Sequence, residues 1–170
     1  MRKGGSLYVA VVFTALVSYF IYQWWFNPNR MIKTRLGDIA AALSVPADEA
    51  DLGRLTRLAQ LRKLATADLH VRVGKDGPDL ASRDAVLGAL SGWATPPGGR
   101  NFDFVDVDVR VNSDGTARAF VTAEMTTHDP QSAHQTLDAR DVTFSFVKQD
   151  SEWRVSEAEV KELPTAPKAQ

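Results

Sequence analysis

From Gly4 to Asn29 the chain carries no charged side chain, and residues 6–26 read SLYVAVVFTALVSYFIYQWWF. A buried helix of a water-soluble domain is rarely apolar all round over so long a stretch. As a helix rising 1.5 Å per residue, this run reaches about 31 Å, against a bilayer hydrocarbon core of about 30 Å. Its far end is rich in aromatic residues, Tyr19, Tyr22, Trp24 and Trp25, which favour the headgroup level. A cleaved signal peptide has a shorter apolar core followed by a small-residue cleavage site, and this run has neither feature. The expectation is a basic tail at 1–5 and an uncleaved single membrane span at 6–26, with the lipid bilayer as first partner. Arg2 and Lys3 flank one side, and Arg30, Lys33 and Arg35 the other. The positive-inside rule is therefore nearly balanced. A short basic tail before a span stays in the cytoplasm, which predicts an extracytoplasmic domain. Trp24, Trp25, Arg30, Lys33 and Arg35 are the expected membrane-interface residues.

After the run the pattern becomes that of a folded α+β domain. Asn27-Pro28 reads as a helix start, with Asn27 as cap and Pro28 at the first helical position. Ile32, Leu36, Ile39 and Leu43 follow as one apolar stripe, which predicts a juxtamembrane amphipathic helix over 27–45. A second helix is expected at 48–64, with Leu52, Leu55, Leu58, Leu61 and Leu64 on a wide apolar face. Alternation at 68–73 predicts a strand. Gly74-Lys-Asp-Gly-Pro is a turn cluster, and Ser82 caps a third helix at 83–93. Four long antiparallel strands come next, with Asn112-Ser-Asp-Gly as a hairpin turn and a polar loop at 128–136. The domain is placed at 46–162, and 163–170 is expected to be a disordered tail. One curved antiparallel sheet wrapping helices on its concave face, a cone, satisfies this order.

Composition narrows the function. Beyond residue 26 there are 18 basic and 21 acidic residues, a net of −3. That balance argues against a nucleic-acid partner, which requires a basic face. The chain has no cysteine, so disulfides, thiolate nucleophiles and Cys-ligated metals are excluded. No phosphate-binding glycine loop, HExxH or G-x-S-x-G motif is present. The expectation is no cofactor and no metal.

The run SRDAVLGAL, the long meander and the ending VTFSFVKQDSEWRVSEAEV, with Trp153 and Val155 after a turn, resemble the nuclear transport factor 2-like (SnoaL-like, cystatin-like) superfamily over residues 48–160. The resemblance implies a conical pocket between sheet and helices, and a fold that hosts isomerases, dehydratases, hydrolases, polyketide cyclases and non-catalytic assembly domains. Strand side chains alternate between faces. The apolar parity therefore predicts an inner face of Val105, Val107, Val109, Val111, Ala117, Ala119, Val121, Ala123, Met125, Val142, Phe144, Phe146, Trp153 and Val155. From that face Val107, Val109, Ala119, Val121, Ala123, Phe144, Phe146 and Trp153 are the expected pocket residues, and none of them moves a proton. All three tyrosines lie in the expected span. The weak candidates for catalysis are Asp68 and His70 on the first strand and Asp103, where the alternation slips. His128, Asp129 and His134 share a loop and read as surface rather than as metal ligands. Two functions remain. The first is a membrane-anchored, non-catalytic module of a bacterial-type envelope that binds a protein partner or a second copy, an arrangement that resembles periplasmic assembly subunits of secretion machines. The second is binding of, or isomerase or hydrolase action on, a small hydrophobic ligand in the cone.

Overall fold

The computed structural model describes residues 11–19, 27–128, 130 and 135–161. Residues 11–19 are helical, and their apolar side chains are exposed. The rest of the expected span, with Trp24 and Trp25, lies outside the described residues, as does the expected tail at 163–170. Among the described residues no helix is long and apolar enough to cross a membrane.

Helix α1 (Pro28–Leu43) begins as its sequence dictates. Asn27 is extended, its side chain accepts the Asn29 N–H at 3.0 Å, and Pro28 sits in the first turn. Ile32, Leu36, Ile39, Ala40 and Ala42 are buried. The helix thus belongs to the core of the domain rather than lying outside it as a separate juxtamembrane element. Ser44 ends it. The Ser44 hydroxyl donates to the Ala40 carbonyl and accepts the Phe102 N–H, both at 2.9 Å, and Val45 and Arg100 exchange two backbone hydrogen bonds of 2.7 Å. The end of α1 is thereby stitched to the beginning of strand β3 (Arg100–Val111). Nearer its start, Arg35 reaches Glu152 at 3.5 Å and Asp38 at 3.8 Å.

Helix α2 (Asp51–Leu64) starts three residues later than expected, and no side chain caps it. Glu49 instead grips Arg57 with both carboxylate oxygens, at 2.8 and 3.1 Å. Only Leu61 and Leu64 of its apolar face are buried. Leu52 and Leu55, on the same expected apolar face, are 75% and 65% exposed. Strand β1 (Ala65–Val73) follows without a loop, and a two-residue strand, β2 (Asp79–Leu80), absent from the sequence reading, pairs with it. Helix α3 (Arg83–Gly92) is capped by Ser82, whose side chain accepts the Ala85 N–H. Strands β3, β4 (Thr116–His128), β5 (Gln135–Gln149) and β6 (Glu152–Lys161) form the expected antiparallel meander.

The sheet order is β2-β1-β6-β5-β4-β3. The sheet is mixed rather than antiparallel, because β1 and β6 run parallel. A second correction concerns β3. The register slips between Val105 and Asp108, where Asp106 takes a left-handed φ of 51°. This bulge inserts one residue and inverts the parity. Phe102 and Phe104 lie opposite Met125 and Ala123, Val105 lies opposite Thr122, and Val109 opposite Ala119. Val105 therefore leaves the inner face, and Phe102 and Phe104 join it. Ile32 and Leu36 of α1 belong to one buried cluster with Ala117, Ala119, Phe146 and Trp153. This end of the cone is closed.

Candidate functional site

The other end of the cone is open. It holds a cavity of about 440 Å³. Ile39 and Leu43 of α1, Leu61 and Leu64 of α2, and Val86, Leu87 and Leu90 of α3 form its helical wall, with Trp93 just beyond α3. The sheet contributes Leu69, Val71, Phe102, Phe104, Ala123, Met125, Val142, Phe144, Ala158 and Val160. Helix α3 contains no fully buried residue, because its apolar face looks into this space. Aromatic contacts stiffen the wall. Phe104 and Phe144 meet edge-on at 5.3 Å, and Trp93 meets Phe102 at 6.2 Å. The buried Arg100 guanidinium lies 3.6 Å over the Trp93 ring and donates to the Ala94 carbonyl at 2.8 Å.

Of the pocket residues expected from sequence, Ala123 and Phe144 line the cavity. Ala119, Val121, Phe146 and Trp153 are buried, and Val107 and Val109 are half-buried against them. The sequence treats the inner face as one pocket, whereas α1 covers half of it.

Three charged residues also line the cavity, and the sequence reading missed all of them: Arg83, Asp138 and Arg140. Arg140 lies opposite Ala123 and Asp138 opposite Met125, on the face that continues inward through Val142 and Phe144. The Arg140 Nε donates to an Asp138 carboxylate oxygen at 3.1 Å. Parity could have found the pair, because stepping back by twos from Phe144 gives Val142, Arg140 and Asp138. The polar run at 128–136 reads as a loop and the expected alternation starts at Asp141, whereas β5 begins at Gln135. The assumption that the inner face carries no ionisable group is therefore corrected.

None of the three candidates for catalysis reaches the cavity. Asp68 is exposed on β1. His70 is half-buried and contacts the Asp79 carboxylate of β2 through its Nε2. Asp103 is exposed, lies opposite Glu124, and accepts the N–H of Phe104 at 2.8 Å. The bulge falls at Asp106 rather than beside Asp103, so it does not turn Asp103 inward. His128 is the exposed last residue of β4; Asp129 and His134 lie outside the described residues. Among the described residues no group of three His, Asp or Glu side chains is arranged to hold a metal ion.

A sequence model of the SnoaL-like domain matches residues 47–158. No curated protein matches the chain. Among solved structures, a protein with a cystatin-like fold, like nuclear transport factor 2, from Novosphingobium aromaticivorans superposes with a TM-score of 0.68 at 15% identity, covering 89% of this chain and 92% of its own. A protein provisionally assigned as a scytalone dehydratase from the same organism gives 0.64 at 16% identity, covering 79% and 83%. ActVI-ORFA of Streptomyces coelicolor gives 0.63 at 16% identity, covering 78% and 94%. At these identities the likeness is one of fold.

Proposed function

Because the chain belongs to the SnoaL-like domain family, whose fold is here open at one end, we propose that it binds a small, largely hydrophobic molecule in the cone. The observation that carries this reading is the cavity of about 440 Å³. Its size falls within the ~300–1,000 Å³ of small-molecule sites. Its wall is continuous and apolar, with a few charged groups that can orient a ligand. Stability alone favours filling such a space, since uncovered apolar walls forgo dispersion contacts. Isomerase or hydrolase action on the ligand would fall to Asp138, the one carboxylate lining the cavity among the described residues. That group is already engaged by Arg140, so the reading commits to binding.

The test is photo-crosslinking of the detergent-solubilised full chain with a decanol bearing a diazirine, mapped by mass spectrometry. Labels are expected on cavity residues such as Leu87, Phe102 and Met125. Labelling confined to residues 6–26, or none in the cone, would refute it.

We also propose that the helix at 11–19 continues as a membrane span at 6–26, with the domain on the extracytoplasmic side. In support, Val11, Val12, Phe13 and Leu16 are all more than half exposed, an arrangement that water disfavours and lipid does not. Arg30 and Lys33 at the start of α1 are exposed, and basic residues close to a span favour anionic headgroups. Alkaline carbonate extraction should leave the protein in the membrane pellet, and release into the supernatant would count against a span. A reporter fused after Gln170 reads the orientation.

A second reading, a partner-binding or self-assembling module, has its own observation in the exposed Leu52 and Leu55. Replacing both with glutamate should abolish co-purification of any partner or second copy while leaving cavity labelling intact.

A further inference from the structure

The cavity wall contains a cation that has no counter-charge among the described residues. Arg83 opens α3 and lines the cavity. Its Nη1 donates to the carbonyls of Arg62 and Ala65, both at a long 3.4 Å. The Nε is buried and has no acceptor among the described residues. No carboxylate among them lies within 4.0 Å of the guanidinium; the adjacent Asp84 pairs with Arg62 instead, at 3.6 Å. The cavity's other arginine differs, because Arg140 is matched by Asp138 at 3.1 Å.

A buried N–H is almost always hydrogen-bonded, and an exception calls for a physical reason. The Nε N–H is enclosed by the protein, so Nη2 is the donor of Arg83 left for a ligand. Arg57 shows how a guanidinium in this same molecule takes a carboxylate, holding both oxygens of Glu49 at 2.8 and 3.1 Å. A guanidinium N–H donates a strong, charge-assisted hydrogen bond to a carboxylate oxygen. The wall that Arg83 shares is aliphatic and includes Leu64, Ala65, Leu69, Val86 and Leu87. An apolar body bearing one carboxylate fits both features.

The geometry points to Arg83 as the recognition group for the acidic head of the ligand, so that the cone selects an apolar carboxylic acid over its neutral counterpart. This rests on the ligand-binding reading above and assigns the ligand's chemical class. Arg83 acts by charge and hydrogen bonding. Arg140 does not take this role, since its charge is already neutralised.

The experiment is competition of the diazirine-decanol label by unlabelled decanoic acid and by decanol, at neutral pH, on the full chain in nonionic detergent. Partition into detergent is common to all variants and cancels when they are compared. The ratio of acid to alcohol potency should fall about tenfold in Arg83→Gln, the loss of one charge-assisted hydrogen-bonded pair. It should recover in part in Arg83→Lys, which keeps the charge. Unchanged cone labelling by the alcohol in Arg83→Gln confirms that the variant is folded. An unchanged ratio in Arg83→Gln overturns the assignment while leaving the ligand-binding reading intact. Absence of cone labelling in the parent protein sinks that reading itself.

Discussion

Replacing Glu49 with glutamine removes one charge from a nearly enclosed ion pair and tests how α2 is held in place. The Glu49 and Arg57 side chains are only 7% and 12% exposed. Two hydrogen bonds of 2.8 and 3.1 Å join them, and the Arg57 Nη1 also donates to the Ala42 carbonyl near the end of α1 at 3.3 Å. Without the Glu49 charge, Arg57 remains in place, and its positive charge already acts unfavourably on the buried Arg100. Breaking a buried pair from one side costs about 3–5 kcal/mol; the residual exposure favours the lower end, about 3 kcal/mol. For a domain of this size that is a fall in Tm on the order of 12 °C, readable by calorimetry or chemical denaturation. The pH dependence has a definite sign. Hydrogen bonds from Arg57 hold the Glu49 carboxyl below its ordinary value of 4.5. A depressed carboxylate stabilises fully above its unfolded value, and the contribution fades as pH falls through the folded one. The gap between parent and variant should therefore be constant at neutral pH and close in acid, below about 4.5. A cost under about 1 kcal/mol at neutral pH, the worth of an exposed pair, would refute the reasoning.

Other substitutions probe the remaining parts of the argument. Leu36→Ala, at the buried closed end, should cost about 2–5 kcal/mol in urea unfolding; a neutral result would mean that α1 is not part of the core. Ala123→Trp should abolish cone labelling with little change in Tm, because the new side chain enters existing space beside Arg140. Gly99 has φ +77°, and a Cβ there would lie 2.7 Å from the Val45 carbonyl oxygen. Gly99→Ala should thus lower stability by about 2 kcal/mol or more, from left-handed strain plus the clash, measured by the same denaturation.

Much of the fold could be read from local chemistry. Asn27-Pro28 and Ser82 start helices because their side chains accept backbone N–H groups, an interaction confined to a few residues. The meander could be read because alternation is also local. Pairing between distant strands leaves no such trace, and nothing in Ala65–Val73 announces that it joins β6 in parallel. The bulge in β3 was half-legible. Apolar residues stand at both 104 and 105, so the sequence says that parity slips without saying where. The structure puts the extra residue at Asp106, which tolerates a positive φ better than the β-branched valines beside it. Arg83 was invisible for another reason. A first-turn arginine looks solvated on any helical wheel, and only the corner between the end of α2 and the start of β1 turns it into cavity wall.

The division of the cone into a closed and an open half follows from where the small residues fall. Ala117 and Ala119 share the buried cluster with Ile32, Leu36 and Phe146 of the closed end. Their missing volume is taken up by that packing, so alanine there does not imply a pocket. Ala123 continues the same face, but its surroundings are Phe104 on one strand and Arg140 on the other. Beyond Ile39 and Leu43, α1 ends at Ser44. Past that point only α2 and α3 remain to cover the sheet, and they form a wall rather than a plug. The cavity thus lies where α1 makes its last contributions, Ile39 and Leu43: Pro46 disfavours a further helical turn at Val45, and the Ser44 hydroxyl accepts the Phe102 N–H of β3 instead.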